Sequence, residues 1–84
     1  MIYRIYTEDI NREGIKSLLQ ETFKSYTLIP TVGYWEGSAE KGLIIEIING
    51  IDIFDIYQLA REIKRLNKQE TVLLTIQEIQ SILI

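Results

Sequence analysis

The sequence predicts an α+β fold in which two helices cover one face of a four-stranded antiparallel sheet. Four short segments are rich in β-branched and aromatic residues, as strands usually are. Two other segments repeat apolar residues every three or four positions, which is the pattern of an amphipathic helix. The segments follow one another in the order β-α-β-β-α-β. A chain of 84 residues has room for one such core, so we expect a single domain over residues 1–84.

A strand and a helix begin the chain. Residues 2–7 (IYRIYT) combine isoleucine, tyrosine and threonine, which favours a strand. Asp9 or Asn11 can then cap a helix, because their side-chain oxygens accept hydrogen bonds from the first free amides. Apolar residues recur at spacings of three and four after this point, so we predict a helix over residues 10–24.

Two strands joined by a hairpin come next. Residues 26–36 (YTLIPTVGYWE) predict an extended segment, and Pro30 places it at a sheet edge, since proline has no amide hydrogen for a neighbouring strand. Residues 37–42 (GSAEKG) predict the hairpin loop. Residues 43–48 (LIIEII) are apolar on both faces except at Glu46, which predicts a central strand.

The last part of the chain supplies the second helix and the fourth strand. A turn is predicted at residues 49–50 (Asn-Gly), followed by Asp52 as the cap of a helix over residues 53–67. Residues 71–77 (TVLLTIQ) predict the final strand. Residues 78–84 are rich in isoleucine, and either a short helical turn or an extra strand is compatible with them.

This order of elements predicts a ferredoxin-like two-layer sandwich. Two β-α-β units with right-handed crossovers place the first and third strands at the centre of the sheet and the second and fourth at its edges. Pro30 in the second strand agrees with that arrangement. The sheet face opposite the helices stays uncovered, and we call it the bare face.

Alternation along the strands predicts which side chains point to the bare face. In the third strand Leu43, Ile45 and Ile47 should face the helices. In the fourth strand the residues that should face the helices are Val72, Leu74 and Ile76. Trp35 should fill the core. Arg4 and Glu46 should form an ion pair on the bare face. Six apolar or aromatic side chains are expected around that pair: Ile2, Tyr6, Tyr34, Ile44, Ile48 and Leu73.

So much apolar surface on one face predicts a partner, because soluble monomers rarely expose such large patches. Closed two-fold dimers are the commonest assemblies, and the first hypothesis is therefore a non-enzymatic interaction or ligand-sensing module that self-associates. A small-molecule or peptide site, or cover by the C-terminal residues, would also account for the face. The expected interface residues are Ile2, Tyr6, Ile44, Ile48 and Leu73.

Carboxylates support an alternative, a small enzyme or ligand-binding dimer. Two carboxylates in different surroundings can act as general acid and base, or bind a hard cation. Glu36, Glu40 and Glu46 fall near the second hairpin, although a solvated hairpin tip and an ion pair with Arg4 would explain them without a ligand. The candidate binding residues are Tyr34, Glu36, Glu46 and Thr75.

One basic cluster ends the predicted second helix, and it consists of Arg61, Lys64, Arg65 and Lys68. It can contact phosphates, or it can lie in solvent where the helix dipole favours cations. The net charge of −3 and the pI of about 4.9 disfavour nucleic acid as the main partner. Weak nucleic-acid binding is therefore the third hypothesis.

The composition excludes several classes of chemistry. Histidine and cysteine do not occur, which excludes Ser-His and Cys-His catalysis, histidine switches, the usual zinc sites and disulfides. The glycines do not have the spacing of a phosphate loop or a dinucleotide fingerprint. We expect no metal, no cofactor and no catalytic residue. With neither a signal-peptide pattern nor an apolar run that could span a membrane, we expect a cytoplasmic protein.

Two stretches carry a resemblance. Residues 31–47 (TVGYWEGSAEKGLIIEI) and 59–75 (LAREIKRLNKQETVLLT) are similar to a group of small uncharacterised proteins from microbial and mobile-element genomes. The resemblance implies the ferredoxin-like fold and no particular activity. The matching features are Gly33, Trp35, Glu36, Glu46, Gln69, Glu70 and Thr75.

Overall fold

Strands and helices follow one another in the predicted order. A computed structural model describes residues 1–48 and 52–84, so the predicted turn at residues 49–50 lies outside the described residues. Neither described helix is long and apolar enough to cross a membrane. The elements are β1 (Ile2–Glu8), α1 (Arg12–Thr22), β2 (Thr27–Trp35), β3 (Ser38–Ile48), α2 (Ile53–Leu66) and β4 (Leu73–Gln77).

The four strands form one antiparallel sheet in the order β2-β3-β1-β4. Strands β1 and β3 are central, as predicted, and β2 and β4 are the edges. Pro30 lies in β2 opposite Leu43. Strand β2 is an edge of the sheet, so no further strand needs the amide hydrogen that Pro30 lacks. The prediction of an α+β, ferredoxin-like sandwich is confirmed.

The core lies between the helices and the sheet face that carries Leu43, Ile45 and Ile47. These alternate residues of β3 are at most 1% exposed, as the period of two predicts. Each helix adds an apolar stripe with the spacing of three and four that predicted it. The buried members are Ile15, Leu19 and Phe23 at α1 and its C-terminus, and Ile56, Leu59 and Ile63 in α2.

The two helix N-termini are stabilised differently. Asp52 caps α2 as predicted, because its Oδ1 accepts a 3.0 Å hydrogen bond from the backbone amide of Phe54. Asn11 occupies the N-cap position of α1 with a left-handed backbone, φ 54°, but its side chain makes no capping hydrogen bond. Its Nδ2 donates instead to Asn67 Oδ1 at 3.2 Å. The beginning of α1 is thus tied to the end of α2.

The predicted hairpin loop at residues 37–42 is wrong. Strand β3 begins at Ser38, and the connection from β2 is the two-residue turn Glu36-Gly37. Both turn residues have positive φ, 48° and 82°, a geometry that matches the twist of paired strands. The small and polar residues at 38–42 suggested a loop, but each of them pairs with a residue of β2.

Other boundaries differ by a few residues. Helices α1 and α2 are shorter than the predicted ranges 10–24 and 53–67, and β4 begins at Leu73 instead of residue 71. Residues 78–84 contain neither a helical turn nor an extra strand. Sequence periodicity locates an element more reliably than it locates the ends of the element, because a single hydrogen bond decides each boundary.

Trp35 does not fill the core. The register places it on the bare-face side of β2, together with Ile29, whereas Tyr34 lies on the helix side. The predicted placements of Trp35 and Tyr34 are therefore both wrong. Gly42 is the first residue of β3 that pairs with β1, and the β2–β3 pair extends from there to the hairpin turn, so these aromatic rings lie past the core. Trp35 is 68% exposed and Tyr34 is 76% exposed.

Replacing Ile45 with alanine should destabilise the protein by about 2–5 kcal/mol, because it leaves a cavity at the buried centre of β3. Val32→Ala is the matched control. Val32 is 63% exposed, so we expect a loss of at most about 1 kcal/mol. Urea unfolding followed by circular dichroism measures both variants. Equal losses would contradict the assignment of the core face.

Candidate interaction site on the bare sheet face

An apolar row crosses the bare face. Directly paired residues share a face, so the register places Ile29, Ile44, Tyr6 and Leu73 side by side across β2, β3, β1 and β4. We call these four residues the apolar row. Leu73 is 59% exposed, and the other three are half-buried. The row brings three of the predicted interface residues together on one surface.

A polar row runs beside the apolar row. It consists of Thr27, Glu46, Arg4 and Thr75, again one residue from each strand. Arg4 Nε donates to Glu46 Oε2 at 3.0 Å, which confirms the predicted ion pair. Both side chains remain partly exposed, so a cross-strand pair of this kind contributes about 0.2–1 kcal/mol. Glu46 and Thr75, two of the candidate binding residues, thus flank Arg4.

The third row contains Ile48, Ile2 and Gln77. Ile48 is 47% exposed and extends the apolar surface beyond the polar row. The register places Ile2 on the bare face too, but it is only 5% exposed within the single chain and offers little surface to a partner. Leu73 and Ile48 are therefore the most accessible of the predicted interface residues.

The four candidate binding residues lie in two separate places. Glu46 and Thr75 belong to the polar row, whereas Tyr34 and Glu36 lie at the hairpin end of β2. Tyr34 pairs with Ala39, and the stretch of β3 from Ala39 to Glu46 spans roughly 20 Å in an extended strand. The structure therefore does not bring these four residues together into one site.

A groove that no sequence pattern predicts lies at the hairpin end of the bare face. It has a volume of about 480 Å³ and separates Trp35 from the segment between α2 and β4. No periodic pattern links these two parts of the chain, and the only signal was that Trp35, Gln69 and Glu70 all belong to the resemblance described above. The lining residues are Glu8, Trp35, Glu40, Lys68, Gln69, Glu70 and Thr71.

A polar network next to this groove ties the end of α2 to β1. Thr7 and Asn67 are both buried. Asn67 Nδ2 donates to Thr7 Oγ1 at 3.0 Å and to Gln69 Oε1 at 3.2 Å, and the Thr7 hydroxyl donates to the same Gln69 oxygen. Every buried side-chain polar atom in the described part of the chain has a partner. The network is thus complete without a ligand, and it holds the α2–β4 segment in place.

The predicted basic cluster is brought together at the end of α2. Arg61, Lys64, Arg65 and Lys68 line a second groove, of about 490 Å³. Within the described residues none of these four cations forms an ion pair. The cluster can attract an anion, although the partial negative charge of the helix C-terminus opposes one there.

The carboxylates do not assemble a metal site. In residues 1–48 and 52–84 no three of them come close enough together to hold an ion. A pKa shift occurs at Arg12, where the hydrogen bond to Asp9 raises the pKa of the guanidinium. An arginine is charged with or without this shift, so the contact gives no acid-base function.

Arg4 and Glu46 should couple by about 0.2–1 kcal/mol in a double-mutant cycle. Arg4→Gln and Glu46→Gln each remove one charge and keep most of the side chain, so the double variant should lose less stability than the sum of the single losses. Urea unfolding at low and high salt measures the coupling, which should decrease with salt. Absence of coupling at low salt would contradict a stabilising role of the pair.

Comparisons with known proteins do not assign these surfaces. The chain matches no protein-family model and no curated protein. Nothing in the comparisons bears on the resemblance to microbial and mobile-element proteins. A ferredoxin-like fold serves many unrelated functions, so function must be inferred from the bare face and the two grooves.

Proposed function

We propose that the protein is a non-enzymatic interaction module that self-associates as a homodimer through its bare face. The observation that carries the proposal is the apolar row, which crosses all four strands on the face that neither helix covers. Its exposed end, Leu73, and Ile48 beyond the polar row remain about half accessible. Burial of this surface against a second copy is favourable, at roughly 25 cal/mol for each Å² of apolar area removed from water.

The charges of the bare face also favour a second copy as the partner. Arg4 and Glu46 neutralise each other within one chain. The polar rows of two such faces can therefore meet without leaving Arg4 or Glu46 as an unpaired buried charge, which is strongly destabilising in an interface. Thr27 and Thr75 at the two ends of the polar row carry hydroxyls that can hydrogen-bond across the interface.

Residues 82–84 at the C-terminus do not take the place of a partner. Ile82, Leu83 and Ile84 are all highly exposed. Side chains with this exposure do not pack on the apolar row. Within the described chain these residues add apolar surface to be covered, which supports association over cover by the tail.

A ligand or catalytic site at Glu46 has less support. Glu46 already binds Arg4, and its neighbours across the sheet are Arg4 and Thr27. Tyr34 and Glu36, the other residues proposed for such a site, lie roughly 20 Å away along the strand. Self-association through the bare face does not require these distant residues to meet in one site.

We also propose that the homodimer works in the cytoplasm. The chain builds its core from isoleucine and leucine and contains no cysteine, so its stability does not depend on an oxidising compartment. The proposed interface is likewise non-covalent. Fractionation of cells that produce the tagged protein tests this location directly.

A lysine in the apolar row should dissociate the homodimer. Leu73→Lys places the charge at the exposed end of the row, and Ile44→Lys places it at the centre. Either variant leaves an unpaired charge in the interface, so the dissociation constant should rise by about 30-fold or more, equal to roughly 2 kcal/mol. Sedimentation velocity over a range of protein concentrations measures this change.

Phe54→Lys is the matched control for these variants. Phe54 is 74% exposed on α2, outside the bare face, so the same substitution should leave the dissociation constant unchanged. A wild-type protein that stays monomeric at tens of micromolar would overturn the proposal. A homodimer that tolerates lysine at both Leu73 and Ile44 would overturn it as well.

A second candidate function is weak binding of nucleic acid at the basic groove. The observation that favours it is the convergence of four cations on one groove of about 490 Å³. Contacts between these cations and phosphates would release counterions, so binding should weaken steeply as salt increases. The acidic net charge of the chain restricts such binding to this end of α2.

Reversing two charges in the basic groove tests this second candidate. Lys64→Glu combined with Arg65→Glu should abolish salt-dependent binding of a single-stranded oligonucleotide, measured by fluorescence anisotropy. Lys16→Glu combined with Lys24→Glu is the control, because it changes the net charge equally at positions outside the groove. If both pairs of substitutions act alike, the groove does not bind nucleic acid.

A further inference from the structure

The β2–β3 hairpin projects beyond the rest of the sheet as a two-stranded arm, residues 32–41. Gly42 is the first residue of β3 that pairs with β1. The Asp9 amide donates to the Lys41 carbonyl at 3.2 Å at the base of the arm, and beyond that point no third strand of the described chain flanks it. Every residue of the arm is exposed. Four paired positions and the tight turn at its tip give the arm a length of roughly 17 Å.

The arm holds three large apolar side chains in contact with water. Val32, Tyr34 and Trp35 are all more than 60% exposed. A two-stranded ribbon is at best marginally stable by itself, and the core does not extend beneath this one. Tyrosine and tryptophan are also the residues that most often dominate the energy of protein interfaces. The composition and exposure of the arm thus indicate a binding surface.

Trp35 belongs to the same side of the sheet as the apolar row. A hollow of about 250 Å³ lies between the row and the arm, because Tyr6 of the row and Gly33 of the arm both line it. A Cβ atom built at Gly33 would meet nothing within 4 Å, so the hollow is open to an incoming side chain. The bare face therefore continues from the apolar row onto the arm, and Glu8 and Glu40 line the hollow between them.

The four-stranded part of the bare face is small for a stable interface. Four strands about 4.8 Å apart and about six residues long cover roughly 400 Å² in projection. Specific interfaces bury at least about 600 Å² on each partner. The bare side of the arm adds roughly 170 Å² in projection. With the arm included, the face comes close to the area that a stable homodimer needs.

We propose that the arm is an intersubunit clasp, whose bare side packs on a second copy of the chain with Trp35 as its anchor. The inference rests on the proposed homodimer and extends its interface past the apolar row. Sheets packed face to face keep their strand directions within about 30° of each other. An arm that continues β2 and β3 therefore lies nearly parallel to the strands of the second copy, and in the proposed clasp Trp35 becomes buried against them.

Fluorescence tests the clasp directly, because Trp35 is the only tryptophan of the chain. As the protein concentration rises through the dimer dissociation constant, the emission maximum should move to shorter wavelength and quenching by acrylamide should decrease. Trp35→Ala should weaken the homodimer by about 30-fold or more in sedimentation velocity, the loss typical of an interface anchor.

Tyr34→Ala is the matched control, since this neighbouring ring is similarly exposed but lies on the opposite side of the arm. We expect it to change the dissociation constant by less than about 3-fold. Circular dichroism and the urea midpoint verify that both variants fold. Equal weakening by the two variants would overturn the assignment of Trp35 as the anchor.

The clasp and the homodimer can fail separately. A wild-type homodimer with unchanged Trp35 emission on association, together with a Trp35→Ala variant that dimerises normally, would overturn the clasp and leave the homodimer standing. A wild-type protein that is monomeric at every concentration would overturn both. Lysine at Leu73 and alanine at Trp35 should each dissociate the homodimer if both proposals hold.

Discussion

Burial of one face of β3 is the interaction on which the rest of the structure depends. Leu43, Ile45 and Ile47 belong to one buried cluster with side chains from both helices. A strand has a period of two, so the alternate residues Ile44, Glu46 and Ile48 must point the other way, and two of these are isoleucines. Two helices can cover one sheet face only. The uncovered apolar row is therefore a direct consequence of the burial of the opposite face of β3 in the core.

Most of the architecture could be predicted because local patterns and long-range packing agree. The alternation in β3, the apolar spacing in both helices and the Asp52 cap each point to the element that forms. Arg4 and Glu46 could be paired because each is the single charge in the middle of an apolar strand. The predicted sheet faces of the residues are correct wherever a strand packs against the helices, because a shift of one residue would place a charged side chain in the core.

The arm could not be predicted, because its structure depends on pairing and not on local preference. Glu36 adopts a positive φ that residues other than glycine, asparagine and aspartate seldom adopt, and residues 38–42 have low strand propensity. Pairing with β2 overrides both. The end of β1 decides where the core stops, and nothing in the sequence near Trp35 reveals that boundary. The grooves beside the arm likewise join segments that are far apart in the chain.

The position of Pro30 has a consequence for how copies of this protein can assemble. Strand β2 is nine residues long and forms an outer edge of the sheet, where a strand from another molecule could add and begin an open-ended fibre. Pro30, near the middle of β2, has no hydrogen to donate to such a strand. The other edge, β4, has only five residues. Both edges of the sheet therefore disfavour growth by edge-to-edge addition, which agrees with the closed homodimer that we propose.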